Sequence, residues 1–354
     1  MSTTPSRINT LRRSILAASL GTVFVKPAWA QDQNPLAYEG PDREQRLAEG
    51  ARKEGALNIY TSMQGDDMAP LLEVYQKRYG IKANVWRSSS ENVLQRTVTE
   101  ARGNRFTADV VETNGPELEA ISREKLFQQV KSPHLADIMP EAKRAHGDWV
   151  GTRLNVFVQA YNTGLVKKEE LPQSWQDLAN PRWKDKLGIE AEDQDWLAGV
   201  VASLGEEQGI QLFRKIVATN GMSVRKGHTL LAQLVVSGEI PLALTVYNYK
   251  VEQLRAKGSP TDWFVIGTPI GRPNGVGVAR KAPNPHAAAL FYDLEISEEG
   301  QQLLAKRNFV ATNTKVKSVF SGKPMTFINP AMMLDDGQKW AKLYAELFSG
   351  GKGG

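Results

Sequence analysis

Two stretches of this sequence gather side chains that bind charge. Arg87-Ser88-Ser89-Ser90 sets a guanidinium beside three hydroxyls. Ser90 reads as the N-cap of a following helix, whose free backbone N–H groups favour an anion. Tyr247-Asn248-Tyr249-Lys250 joins two phenols, an amide and an ammonium. Ionised phenols suit a hard cation, whereas Lys250 repels a cation and attracts a carboxylate or phosphate. Thr61, Ser62, Asn114, Arg153 and Asp195 complete the candidate ligand contacts. An arginine can hold a carboxylate through two parallel hydrogen bonds. Each has a plainer structural role open to it. The serines can cap a helix, Arg87 can pair with a surface acid, and Arg153 can pair with Asp148 or Glu112. Tyr247 and Tyr249, two apart, point to opposite faces if the chain there is extended.

Catalytic motifs are missing. Gly221-Met222-Ser223-Val224-Arg225 lacks the second glycine of a nucleophile elbow. Gly275-Val276-Gly277 lacks the third glycine of a dinucleotide loop, and no Gly-Lys-Ser/Thr phosphate loop or His-x-x-x-His zinc spacing occurs. The expectation is binding without catalysis and no cofactor. A sensor-linked binder and, less well supported, a secreted transferase are the alternatives of other classes.

The candidate residues are far apart in sequence, so a scaffold must bring them together. Residues 56–61, 81–86 and 108–112 read as buried strands. Amphipathic helices over 68–79 and 90–101 separate them, with another near 116–122. This βαβ pattern predicts an α/β fold with a mostly parallel sheet, whose ligands sit outside the carboxyl ends of the strands. The loops at those ends, 61–67, 87–90 and 113–115, hold Thr61, Ser62, Arg87, Ser88, Ser89 and Asn114. A long strand over 154–161 is expected to cross to a second set of elements. Strands there are predicted at 187–191, 241–246 and 262–266, with helices at 196–204, 207–219 and 230–236.

Composition narrows the class. The chain has 354 residues, more than one core usually serves, and 41% are hydrophobic. The net charge of +5 invites a nucleic-acid reading. Yet Arg7, Arg12, Arg13 and Lys26 carry four of those charges, in a first thirty residues without an acid. No basic run with interleaved aromatics remains, so no nucleic-acid partner is expected. Arg12-Arg13, a short apolar run and Ala28-Trp29-Ala30 form a cleavable signal peptide over residues 1–30, of the general or the twin-arginine type. No cysteine occurs. That excludes disulfides, a thiolate site and a lipid-anchoring cysteine. A freely soluble periplasmic monomer is the expectation.

Pro172-x-Ser174-Trp175-x-Asp177-Leu178, followed by Pro181-x-Trp183-Lys184, resembles a segment of bacterial solute-binding proteins of ABC importers, most closely the ferric-iron-binding type. Tyr161-Asn162-Thr163, Ala108-Asp109-Val110 and Phe309-Val310-x-x-Asn313-Thr314-Lys315-Val316 fit the same family. The resemblance implies two α/β lobes of the Venus-flytrap kind. Residues 56–155 with 268–318 form lobe 1 and residues 156–267 form lobe 2. A polar segment, 31–55, precedes them and a C-terminal helical tail, 319–354, follows. It also implies hinge closure on a ligand and delivery to a permease and ATPase of the inner membrane.

The iron-binding members hold Fe(III) with two adjacent tyrosines in Asn-Tyr-Tyr, often with a histidine and a glutamate. Here Asn248-Tyr249-Lys250 puts a lysine at the second tyrosine, with Tyr247 one step before the asparagine. The first loop, Thr61-Ser62-Met63-Gln64-Gly65, lacks the histidine. Tyr247 and Tyr249 are the metal ligands only if the transported solute is Fe(III). A small anionic organic solute or oxyanion is the other main reading, and a polyamine or other cation the third.

Overall fold

The structure, a computed structural model, describes residues 34–348. The expected signal peptide lies outside the described residues. The chain begins with α1 (Arg43–Glu54), β1 (Leu57–Thr61), α2 (Gly65–Tyr79), β2 (Ala83–Arg87) and α3 (Ser90–Arg102). Next come β3 (Val110–Asn114), α4 (Gly115–Arg123), the short β4 (Phe127–Gln128) and the long β5 (Trp149–Asn162). The second set runs β6 (Leu187–Glu190), α5 (Gln194–Leu204), α6 (Glu206–Asn220), β7 (Ser223–Arg225) and α7 (His228–Ser237). It continues with β8 (Leu242–Tyr247), α8 (Asn248–Arg255) and β9 (Thr261–Phe264). β10 (Ile270–Ala279) returns, followed by α9 (Pro285–Ile296), α10 (Glu298–Lys306) and β11 (Val310–Ala311). β12 (Thr326–Phe327), α11 (Pro330–Asp335) and α12 (Gly337–Phe348) close the chain.

The strands order as β2-β1-β3-β10-β5-β8-β6-β7. At one end β1 pairs in parallel with β2 and β3; at the other β6 pairs in parallel with β7 and β8. Between them β5 and β10 run antiparallel to each other and to their outer neighbours β8 and β3. β5 has fourteen residues, all buried. Trp149 pairs toward Gly277 of β10, Tyr161 toward Leu242 of β8, and Phe157 meets both strands. One strand therefore serves both parallel halves, as the sequence predicted, although it begins five residues earlier than 154. Strand ends shift by one or two residues elsewhere. The N-cap of α3 is Ser89, which accepts from the Asn92 amide, and not Ser90.

The register between β10 and β5 slips at Asn274/Gly275. A Cβ on Gly275 would stand 2.2 Å from the Val150 carbonyl oxygen, so only glycine lets the crossing strands approach there. Gly275→Ala is expected to lower the unfolding free energy by about 1–3 kcal/mol, the range for an overpacked interior. Urea denaturation checks this, and an unchanged midpoint would contradict the close approach.

The Ser-Trp-x-Asp-Leu segment proves structural. Ser174 and Asp177 form a reciprocal capping box on a short 3-10 turn. This turn buries Trp175 against Trp196 and Phe213, and Phe348 of α12 joins that cluster. The C-terminal segment leans on both ends of the sheet. α11 packs on α4, and α12 packs on α5 and α6.

Candidate functional site

A cavity of about 560 Å³ opens where the sequence pattern placed it, beyond the carboxyl ends of the parallel strands. From one end of the sheet it is lined by Ser62, Arg87, Ser88, Ser89 and Asn114, each at or just after a strand end. From the other end come Glu190, Asp193, Asp195 and His228, with Tyr247 and Tyr249. The two middle strands supply the floor, with Arg153 and Asn155 on β5 and Arg272 and Asn274 on β10.

Two expected contacts do not line it. Thr61 lies inside β1 and is fully buried. Its hydroxyl donates to Glu112 and accepts the Met63 amide at 2.9 Å, so it braces the loop. Lys250 turns into an adjoining cleft of about 350 Å³, beside Asp67 and Arg307. Its ammonium donates to Gln253 at 3.2 Å, and burial lowers its pKa. The reason is helical geometry. Consecutive residues on a helix point about 100° apart, and here that step takes Lys250 on α8 from the wall that holds Tyr249 into the adjoining cleft.

Tyr247 and Tyr249 do share a wall. β8 ends at Tyr247 and α8 starts at Asn248, so the backbone turns between them. Their rings stack with centroids 5.9 Å apart. Tyr249 also lies on Phe309, at 4.1 Å. Burial raises the pKa of both phenols.

Two buried charge networks hold the floor. Arg153 donates to Glu112 and, at 3.3 Å, to the Asn274 amide oxygen. It thus takes the ion-pair role open to it in sequence while still lining the cavity. Arg272 donates to Asp195 at 2.5 Å, to Asp193 at 3.0 Å and to the Tyr247 hydroxyl at 2.5 Å. His228 sits 3.3 Å from Asp193, with its other ring nitrogen 3.0 Å from the Thr245 carbonyl oxygen. Burial disfavours the charged imidazole, but Asp193 with Glu190 outweighs it, and the His228 pKa rises. Glu190, Asp193 and His228 offer three potential metal-ligand atoms within 4.8 Å of one another.

Five buried polar atoms on lining residues have no hydrogen-bond partner among the described residues. They are Arg153 Nε, Asn274 Nδ2, Glu117 Oε2, Asn155 Oδ1 and Asp193 Oδ2. Such unpaired buried atoms are destabilising. The Glu117 pKa is pushed up to about 7 by burial, with Glu91 adding to it. Glu295, behind Arg153, is pushed up by burial and by Glu112. Both carboxyls keep a proton in the fold at pH values where an unfolded glutamate, at 4.5, has lost it. The folded state then binds more protons than the unfolded one, so stability falls as pH rises from about 5 to about 8. His228, whose raised pKa holds its proton longer in the fold, acts in the same direction. Urea denaturation across that range should show the fall, and Glu295→Gln should flatten it. A stability that rises with pH would contradict these assignments.

Arg272, Asn274, Asn155, Asp193, Glu190 and His228 escaped the sequence reading. Glu190 ends β6 and Asp193 follows it, so the strand-end rule points to them. Arg272 and Asn274 carry no such signal, because a cleft-facing residue on a crossing strand looks like any other strand residue.

Iron uptake protein A1 of Synechocystis is 28% identical over 311 residues, covering 83% of this chain and 85% of the relative. The solved structure of iron-bound HitA from Pseudomonas aeruginosa superposes with a TM-score of 0.72 at 21% identity, covering 82% of this chain and 99% of that one. AfuA from Actinobacillus pleuropneumoniae, solved with exogenous fructose-6-phosphate, superposes with a TM-score of 0.72 at 20% identity, covering 83% and 99%. These likenesses establish the two-lobe fold of periplasmic binding proteins. Residues 107–335 match the family described as bacterial extracellular solute-binding protein, and the chain belongs to that family.

Proposed function

We propose that this cleft captures a small organic anion in the periplasm and that closure of its two lobes presents the anion to a membrane permease and its ATPase. Residues 56–155 with 268–318 act as one lobe and 156–267 as the other, with β5 and β10 as the hinge. Closure is a population shift, driven by the ligand's greater affinity for the closed form. The chain binds and releases without turnover.

One observation carries the reading. Arg87 lines the cavity with no carboxylate in salt-bridge reach among the described residues, beside Ser88 and Ser89 at the start of the thirteen-residue α3. Arg153 and Arg272 add guanidinium groups on the floor. Both are already paired, Arg153 with Glu112 and Arg272 with Asp193 and Asp195, so Arg87 carries the attraction for an anion.

Ferric iron is the second reading. The stacked Tyr247 and Tyr249, the Glu190–Asp193–His228 group and the iron-named relatives favour it. Against it, Arg272 occupies both Tyr247 and Asp193; Lys250, in the adjoining cleft, neither repels a cation here nor attracts an anion. Ferric loading with bicarbonate, followed by visible spectroscopy, separates the two. The anion reading expects no phenolate-to-iron band, and Tyr249→Phe should leave anion affinity within about twofold, as for a residue that offers only its ring face. A coloured protein whose band vanishes in Tyr249→Phe would establish iron instead.

A further inference from the structure

We infer that Lys250, Gln253, Asp67 and Arg307 form a polar latch beside the ligand cavity, which holds the two lobes together before any ligand arrives. This rests on the two-lobe closure proposed above and adds the device that sets its resting position.

Gln253 is the joint. It stands on α8, in the segment assigned to lobe 2. Its amide nitrogen donates to the Asp67 carboxylate at 2.9 Å and to the Arg307 carbonyl oxygen at 3.1 Å. Asp67 lies in the first turn of α2 and Arg307 caps α10, both in segments assigned to lobe 1. One neutral side chain therefore spans the two lobes. Its neighbours fix its direction. Lys250, three residues earlier on the same helix face, donates to the amide oxygen at 3.2 Å and so turns the NH₂ group towards lobe 1. Arg307 donates to Asp67 from two guanidinium nitrogens, at 2.9 and 2.8 Å, and holds the carboxylate in place.

The chemistry suits a contact that must break. Asp67 is 2% exposed, so its charge needs a partner in every state. Arg307 supplies that partner from the same lobe, and the carboxylate stays paired when the lobes part. The Gln253 amide is uncharged, so parting strands no ion. The contact also continues a seam that starts at the crossing strands. Asn248 donates to the Asn308 carbonyl oxygen at 3.3 Å, and Tyr249 lies on Phe309 just before β11, which pairs with β5. Gln253, one turn further along α8, carries the seam out to α2. Gln64, Thr229 and Gln233 line both the ligand cavity and the adjoining cleft, whereas Lys250, Gln253, Asp67 and Arg307 line only the latter of the two. The latch thus acts on closure without touching the ligand.

The test needs no ligand. The sequence has no cysteine, so Lys77→Cys on α2 and Lys215→Cys on α6, both at exposed positions, carry spin labels at those two sites only. Double electron–electron resonance then reads the distance between the lobes. In that labelled protein Gln253→Ala should lower the ratio of closed to open conformers about tenfold, the scale of one hydrogen bond to a charged group, seen as a new population at longer distance. Lys250→Met keeps the stem, loses the donor, and should shift the ratio the same way by less. Circular dichroism confirms that each variant folds. Gln253→Trp, which wedges α8 away from α2, is the control for hinging. A distance that lengthens in Gln253→Trp but not in Gln253→Ala overturns the latch and leaves two-lobe closure standing. A distance unchanged in both overturns the closure reading as well. A shift in Gln253→Ala with none in Lys250→Met removes Lys250 from the latch.

Discussion

Replacing Arg272 with leucine is expected to lower the unfolding free energy by about 3–5 kcal/mol. Arg272 is 6% exposed and holds Asp193, Asp195 and the Tyr247 hydroxyl together. Both acids are themselves buried. Removing the guanidinium leaves two carboxylates facing each other in a low-dielectric interior, and the like charges no longer have a shared partner. His228 can neutralise only one of them, so the penalty is not relieved by a single proton. The mutant should therefore regain stability at low pH, where a carboxyl is protonated. Urea denaturation at neutral and acidic pH reads both effects. A loss below about 1 kcal/mol, the scale of an exposed pair, would mean that water reaches the network and that Arg272 is not its keystone.

The opposite pattern is expected for Arg87→Ala. Arg87 is exposed and unpaired among the described residues, so its loss should change unfolding free energy by no more than about 0.5 kcal/mol. Anion affinity should fall by about 1.5–3 kcal/mol, a factor of roughly ten to more than a hundred in Kd. The contribution should shrink at high ionic strength, since a partly solvated ion pair is screened. Arg153→Ala would not separate the two quantities, because Arg153 is buried and also neutralises Glu112. An Arg87→Ala protein that binds its anion with unchanged affinity would remove Arg87 from the anion site.

These two arginines also mark what the sequence could and could not reveal. Arg87 was legible because a strand, a polar turn and a helix start follow one another there. Periodicity dates the strand end, and the strand-end rule then names the residue. The same logic found Ser62 and Asn114, whereas Tyr247 and Tyr249 came from the likeness to the iron binders' Asn-Tyr-Tyr. Arg272 was hidden because its role depends on β10 crossing beside β5, a long-range pairing with no local signature. Lys250 was assigned to the cleft by alignment to a tyrosine, yet one helical step turns it into the neighbouring cleft. Thr61 was misplaced by a single residue, which in a strand moves a side chain to the other face. The fold was therefore readable from local pattern. The site was readable only where it sits on loops that local pattern defines.

The central claim is that the cleft holds a small organic anion through Arg87. Native mass spectrometry of the protein isolated from its own cells, without refolding, tests it most directly. The expected spectrum shows a non-covalent organic adduct that disappears on denaturation and is absent from Arg87→Ala prepared in parallel. An adduct with the mass of iron, retained by Arg87→Ala and lost from Tyr249→Phe, would contradict the account.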